Sequence, residues 1–167
     1  LAANGTATSD PFTPTAPGTY YYAARREPDP LGGRTVEDAQ LVVVIIVDPP
    51  NVKPNPSDRI MAMTWGCRVD PSSRTGLDRC TMAINGRSWP HTEHLTYTQG
   101  DSIRWRVINF TELDHPMHLH GFFFRVDSKG DGVVDSVYAP AQRRMGVTEV
   151  MGPFQTVSLA WKADRAG

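Results

Sequence analysis

The stretch Asp114-His115-Pro116-Met117-His118-Leu119-His120-Gly121-Phe122-Phe123-Phe124-Arg125 holds three of the chain's five histidines within six residues, and an aromatic run follows them. Neutral imidazole is the commonest side-chain metal ligand. In an extended segment successive side chains alternate faces, so His118 and His120 point the same way and Leu119 points into the core. Pro116 disfavours a helix and biases His115 towards an extended conformation. His115 therefore stands where the chain enters the strand and is free to approach a metal from another direction. A lone histidine on a strand is usually a satisfied, half-buried imidazole. Three at this spacing, closed by a glycine, point to a metal instead. Glu112 and Asp114, just upstream, are placed to orient the imidazoles from behind.

Outward from this stretch the chain reads as short strands. Ser102–Asn109 alternates cleanly, with Ile103, Trp105 and Val107 on one face and Arg104 and Arg106 on the other, as in a strand with one wet face. Three consecutive tyrosines favour a strand over Gly18–Tyr22, and Gln40–Val47 is an apolar strand. Arg59–Trp65, Thr81–Ile84, Val133–Tyr138, Met145–Thr148 and Gln155–Trp161 complete the set. Asn85-Gly86 is a strong two-residue hairpin signal. The hexamer Asp127-Ser-Lys-Gly-Asp-Gly132 reads as a polar hairpin loop, since a calcium loop would need Glu where Tyr138 stands. No segment has a convincing amphipathic helical period. Short strands separated by turn signals give an all-β Greek-key sandwich.

The 167 residues suffice for one domain with a sizeable core, or two small ones. A net charge of −1 with acids and bases interspersed gives no nucleic-acid footprint. No apolar run reaches the ~20 residues that span a bilayer, and no charged-then-apolar secretion signal opens the chain. Cys67 and Cys80 flank a polar loop containing Pro71, Ser72, Ser73 and Gly76. They form either a local disulfide, if the protein is exported, or two free thiols. Asn4-Gly5-Thr6 and Asn109-Phe110-Thr111 fit the glycosylation acceptor triplet, which is common by chance. His91 and His94, on either side of Thr92-Glu93, offer a second metal site that the spacing supports only weakly.

His115-Pro116-x-His118-Leu119-His120-Gly121 resembles, without a gap, the first histidine cluster in the second-half cupredoxin domain of multicopper oxidases such as laccases. The resemblance implies a cupredoxin-like Greek-key sandwich. It also implies copper as cofactor, with His115 on the type 1 blue copper, His118 on type 2 and His120 on type 3. In that family each domain ends with a strand bearing late His and Cys ligands and then a closing apolar strand. Here the sequence reaches Trp161 and the following polar residues where the ligand strand is expected, so the late His-Cys-His cluster is expected to be missing.

The beginning of the chain resembles the matching tail of a preceding domain, with Gly18–Tyr22 as its ligand strand and Leu41–Asp48 as its closing strand. Ala23, Ala24 and Arg25 would stand at the ligand positions and bind no copper. Residues 1–48 are thus expected to be terminal strands of a preceding cupredoxin unit, residues 49–57 a proline-rich linker, and residues 58–167 a cupredoxin-like domain without its own last strands. The first segment would complete the last, either as a circular permutation or as a swap between chains, because an unpaired apolar Leu41–Val47 invites aggregation.

Three functions follow as alternatives. One is a laccase-like oxidase that takes electrons from phenols, aromatic amines or metal ions and reduces dioxygen, though weakened by the missing type 1 Cys. Another is a non-catalytic cupredoxin-like domain that binds copper or zinc. The third is a purely structural or assembly domain. Because a complete blue site takes two His and one Cys, the chain alone is expected not to be blue. A homo-oligomer, dimer or trimer, would gather more histidines. The resemblance implies a periplasmic or secreted protein, with no nucleic-acid or membrane partner.

Overall fold

Strand β5 (Ser102–Asn109) is the hub of the fold. In the computed structural model, which describes residues 4–23, 42–68 and 79–166, it pairs antiparallel with β11 (Thr156–Lys162) and parallel with β3 (Asp58–Arg68). The sheet runs β4 (Arg79–Ile84), β3, β5, β11, β7 (Phe124–Gly130), β8 (Asp135–Val137), with β9 (Arg144–Gly146) also paired to β7. β6 (His115–His118) and β10 (Thr148–Met151) form a separate antiparallel pair. The one helical element among the described residues is a 3-10 turn at Pro140–Gln142. The architecture is all-β, as the strand pattern predicts, and cupredoxin-like, as the resemblance implies.

Period-two alternation selects the core. Val107, Val157, Val126 and Leu159 meet across the β5–β11–β7 ladders, and Phe124, Met63 and Met151 close the cluster. Burying each such side chain contributes about 1.5–3 kcal/mol. The other face of β5 differs from the reading of the sequence. Arg106 is only 7% exposed, so that face is not wet. Its guanidinium pairs with Asp58 (3.2 Å) and Asp48 (3.6 Å) and donates to Thr19 Oγ1 (3.0 Å). A buried charge is tolerable when it is paired and hydrogen-bonded in this way.

The cover comes from β1 (Gly18–Ala23) and β2 (Val42–Val47), which pair with each other from Gly18↔Val47 to Ala23↔Val42. They form a sheet of their own and attach to the main body through side chains and one backbone amide. Thr19 N–H donates to Asp135 Oδ2 at 2.7 Å. Tyr21 donates to the Phe154 carbonyl at 2.8 Å and sets its ring edge-on against Phe110, 4.7 Å between centroids. Gly132, at φ +88, leaves the space that the Tyr21 ring fills.

Several boundaries move. Asp127–Gly130 belongs to β7 and is not a loop, because Phe124, Val126 and Ser128 continue the buried alternation. Only the residues from Asp131 to Val134 turn, with the Asp131 carboxylate accepting from the Val133 and Val134 amides. The expected Met145–Thr148 strand is split between β9 and β10. Asn85 and Gly86 do adopt the positive φ of a two-residue turn, yet the returning arm pairs only at Arg87. The Asn85 side chain instead serves β3, accepting from Ala62 N–H and donating to Ile60 O. Cys80 is disulfide-bonded, and it stands opposite Cys67 in the β3–β4 register. The free-thiol alternative therefore fails, and no free cysteine occurs among the described residues. The loop between these cysteines, the polar loop after Ala23, Gln40 and Leu41 lie outside the described residues.

Candidate metal centre

Exposure alternates along β6, with His115 and Met117 half-buried and Pro116 and His118 exposed. Met117 and Leu119 pack on the core cluster, which sends His118 and His120 to the outer face together. Their rings meet edge-to-face, 4.9 Å between centroids at 81°. Gly121, at φ +81, turns the chain immediately after His120.

Strand register supplies a partner that the sequence does not announce. Thr148 lies directly across the β6–β10 ladder from His118, and its Oγ1 sits 2.6 Å from His118 Nδ1. That bond occupies Nδ1 and leaves Nε2 as the open nitrogen. His115 faces the other way, with its Nε2 2.7 Å from Thr111 Oγ1. Thr111 is itself buried and bonded to the buried Asn109 through the amide oxygen. Burial holds the His115 pKa below the ordinary histidine value, and the neighbouring Asp114 carboxylate opposes the shift without cancelling it. The neutral ring so favoured is the ligating form.

The remaining candidates separate. Asp114 acts on His115 through its charge, and Glu112 is exposed beside it. His91 and His94 are exposed in the loop after the cis Trp89–Pro90 bond. Among the described residues, no group of three or more His, Cys, Asp or Glu side chains converges on one point. His118 and His120 thus form a pair, His115 a second position, and His91 with His94 gains no third ligand. Thr111, Asn109 and Thr148 escaped the sequence reading. The triplet Asn109-Phe110-Thr111 did stand out, but as a glycosylation acceptor, and Asn109 is fully buried with its amide committed to carbonyls.

Residues 61–167 match the family model of the multicopper oxidases, and the chain belongs to that family. The membership implies copper. Among solved structures, the fold is similar to the blue copper oxidase of Nitrosomonas europaea, with a TM-score of 0.72 and 22% identity over 93% of this chain and 49% of the other. Copper nitrite reductase from the same organism gives 0.60 and 15%, covering 90% of this chain and 54% of the other. A multicopper oxidase described as a metallo-oxidase, from Campylobacter jejuni, gives 0.51 and 21%, over 74% and 27%. The chain spans about half the length of the first of these, or less than that for the last. No curated protein sequence matches the chain.

The donor chemistry fits copper in part. Open imidazole nitrogens on His118 and His120 suit a copper ligand set. With Cys80 disulfide-bonded and no free thiol among the described residues, the two-His, one-Cys set of a blue site is not assembled here.

Proposed function

We propose that this chain carries part of the copper machinery of a laccase-like multicopper oxidase. His118 and His120 would be ligands to the oxygen-reducing cluster, and His115 a ligand to the copper that receives electrons. The observation that carries the reading is the pair of exposed imidazoles, packed 4.9 Å apart at and just beyond the end of a family-matched strand, with His115 facing away from them. Bound copper supplies the one-electron chemistry, while the protein supplies ligands and orientation. Thr148 fixes the His118 ring, and Met117 and Leu119 anchor the strand beneath it. Phenols, aromatic amines or reduced metal ions are the electron donors in this reading, and dioxygen the acceptor.

The ligands that the described residues do not gather would come from a neighbouring copy, in a dimer or trimer. The β1–β2 hairpin would complete a sandwich, within the chain or by exchange, and its docking through Thr19, Tyr21 and Asp48 supports that role. The disulfide at Cys80 favours an exported protein, periplasmic or secreted.

Copper loading tests the reading. We expect bound copper without an intense thiolate-to-copper band, and copper-dependent oxidation of a phenolic dye that is lost in His118→Ala and His120→Ala. A second reading, a copper- or zinc-binding domain without turnover, is favoured by one observation: no set of three converging ligands exists among the described residues. Tight metal binding with no dye oxidation by the oligomer would establish it in place of the first. Folded protein that holds neither metal would leave an assembly domain and overturn both.

A further inference from the structure

The hydrogen bonds behind His115 determine which of its ring nitrogens carries the proton. The Asn109 side chain is fully buried. Asn109 Nδ2 lies 2.7 Å from the Leu113 carbonyl and 2.8 Å from the Gly152 carbonyl. Both partners are acceptors only, so the nitrogen must stand there and the amide cannot be turned over. Its oxygen therefore faces Thr111, where it accepts from the Thr111 backbone N–H at 2.9 Å.

The same oxygen lies 2.8 Å from Thr111 Oγ1. Two oxygens that close require a proton between them, and an amide oxygen has none to give. The hydroxyl proton of Thr111 is thus committed to Asn109 rather than to the Leu113 carbonyl, which lies farther off at 3.4 Å. Thr111 Oγ1 also accepts from the Leu113 N–H at 3.2 Å. Its remaining lone pair faces His115 Nε2 at 2.7 Å. At that distance a lone pair must meet an N–H, so Nε2 bears the proton and Nδ1 bears the lone pair.

We propose that Asn109 and Thr111 are positioning residues that lock His115 in its Nε2–H tautomer and so present Nδ1 as its ligating atom. The lock stands on the protein's own hydrogen bonds. Only its consequence for copper rests on His115 being a ligand, as in the proposed function. The partner on one ring nitrogen of a metal-binding histidine sets the tautomer and basicity of the other. Here the partner is buried, and Asn109 also ties it to Gly152, beyond the end of β10.

Long-range proton–nitrogen correlation spectra of the metal-free 167-residue chain test the lock, recorded above the ordinary histidine titration range. The His115 signals are assigned by their loss in His115→Gln. The expected pattern is a pyrrole-like Nε2 and a pyridine-like Nδ1 in the wild type, retained in Thr111→Ser and converted to a tautomer mixture in Thr111→Val. A wild-type His115 with a protonated Nδ1, or with mixed tautomers, overturns the lock even if Thr111→Val does not fold. A folded Thr111→Val with the wild-type pattern overturns it as well. Copper(I), which is diamagnetic, then separates the two claims. A shift of the Nδ1 signal is expected. If the tautomer is locked but copper(I) leaves Nδ1 unmoved, the lock holds and the assignment of His115 as a ligand falls.

Discussion

His118 owes its orientation to a neutral neighbour. Thr148 is exposed, so its removal acts on the ring rather than on the fold. We expect Thr148→Val to weaken copper(I) binding by roughly 10–100-fold, the usual cost of losing an outer partner, while the urea midpoint stays unchanged; competition with a chromophoric chelator reads the affinity. His115 carries a pH signature of its own. Burial lowers its folded-state pKa below the unfolded value, so the neutral ring stabilises the fold above the ordinary histidine pKa. As pH falls from there through the folded-state value, the unfolded chain takes up the proton first and stability is lost. Urea midpoints of the metal-free protein followed downward from pH 7 should therefore fall, and His115→Gln should show a shallower decline.

At the level of elements, the β1–β2 hairpin is the part whose attachment depends on a few side chains. Arg106 joins it to the sheet through Thr19 and Asp48 while also pairing with Asp58. Arg106→Met leaves Asp58 with Arg104 and Asp48 without its guanidinium. Breaking a buried pair by removing one partner costs about 3 kcal/mol, which equilibrium urea unfolding should show. Gly132→Ala probes the same docking from the opposite side. Its φ of +88 strains any residue with a Cβ, and that Cβ would meet the Tyr21 ring. A loss of about 1–3 kcal/mol is expected, with faster amide exchange in β1 than in β5 or β11. The sequence did show β1 and β5 as strands, because tyrosine runs and period-two alternation are local signals. It did not show that β1 buries Arg106, since nothing local marks which charged residue another element will cover.

For the whole molecule, the disulfide bears on stability. A cross-link stabilises mainly by restricting the unfolded chain, typically by about 2–4 kcal/mol. Reductant should lower the urea midpoint accordingly, and a Cys80→Ser variant should be insensitive to it. The copper question also belongs at this scale. The described residues set His118 beside His120 and turn His115 the other way, and no group of three or more His, Cys, Asp or Glu converges among them. In the proposed reading the missing ligands come from a neighbouring copy, so metal content and oligomeric state should rise together on copper loading.

The sequence by itself determined the all-β class, the strand that bears the histidines and the family, because spacing along an extended chain decides which side chains share a face. His118 and His120 were legible as a pair for that reason, and His115 as their outlier. Tertiary structure decided what stands behind each ring. Thr148 reaches His118 only through the register of β10 on β6, and Thr111 faces His115 only because buried Asn109 holds the intervening turn. Hydrogen-bond partners across a ladder or a turn depend on register and on which atoms are buried. Neither is encoded in the order of residues until the chain has closed on itself.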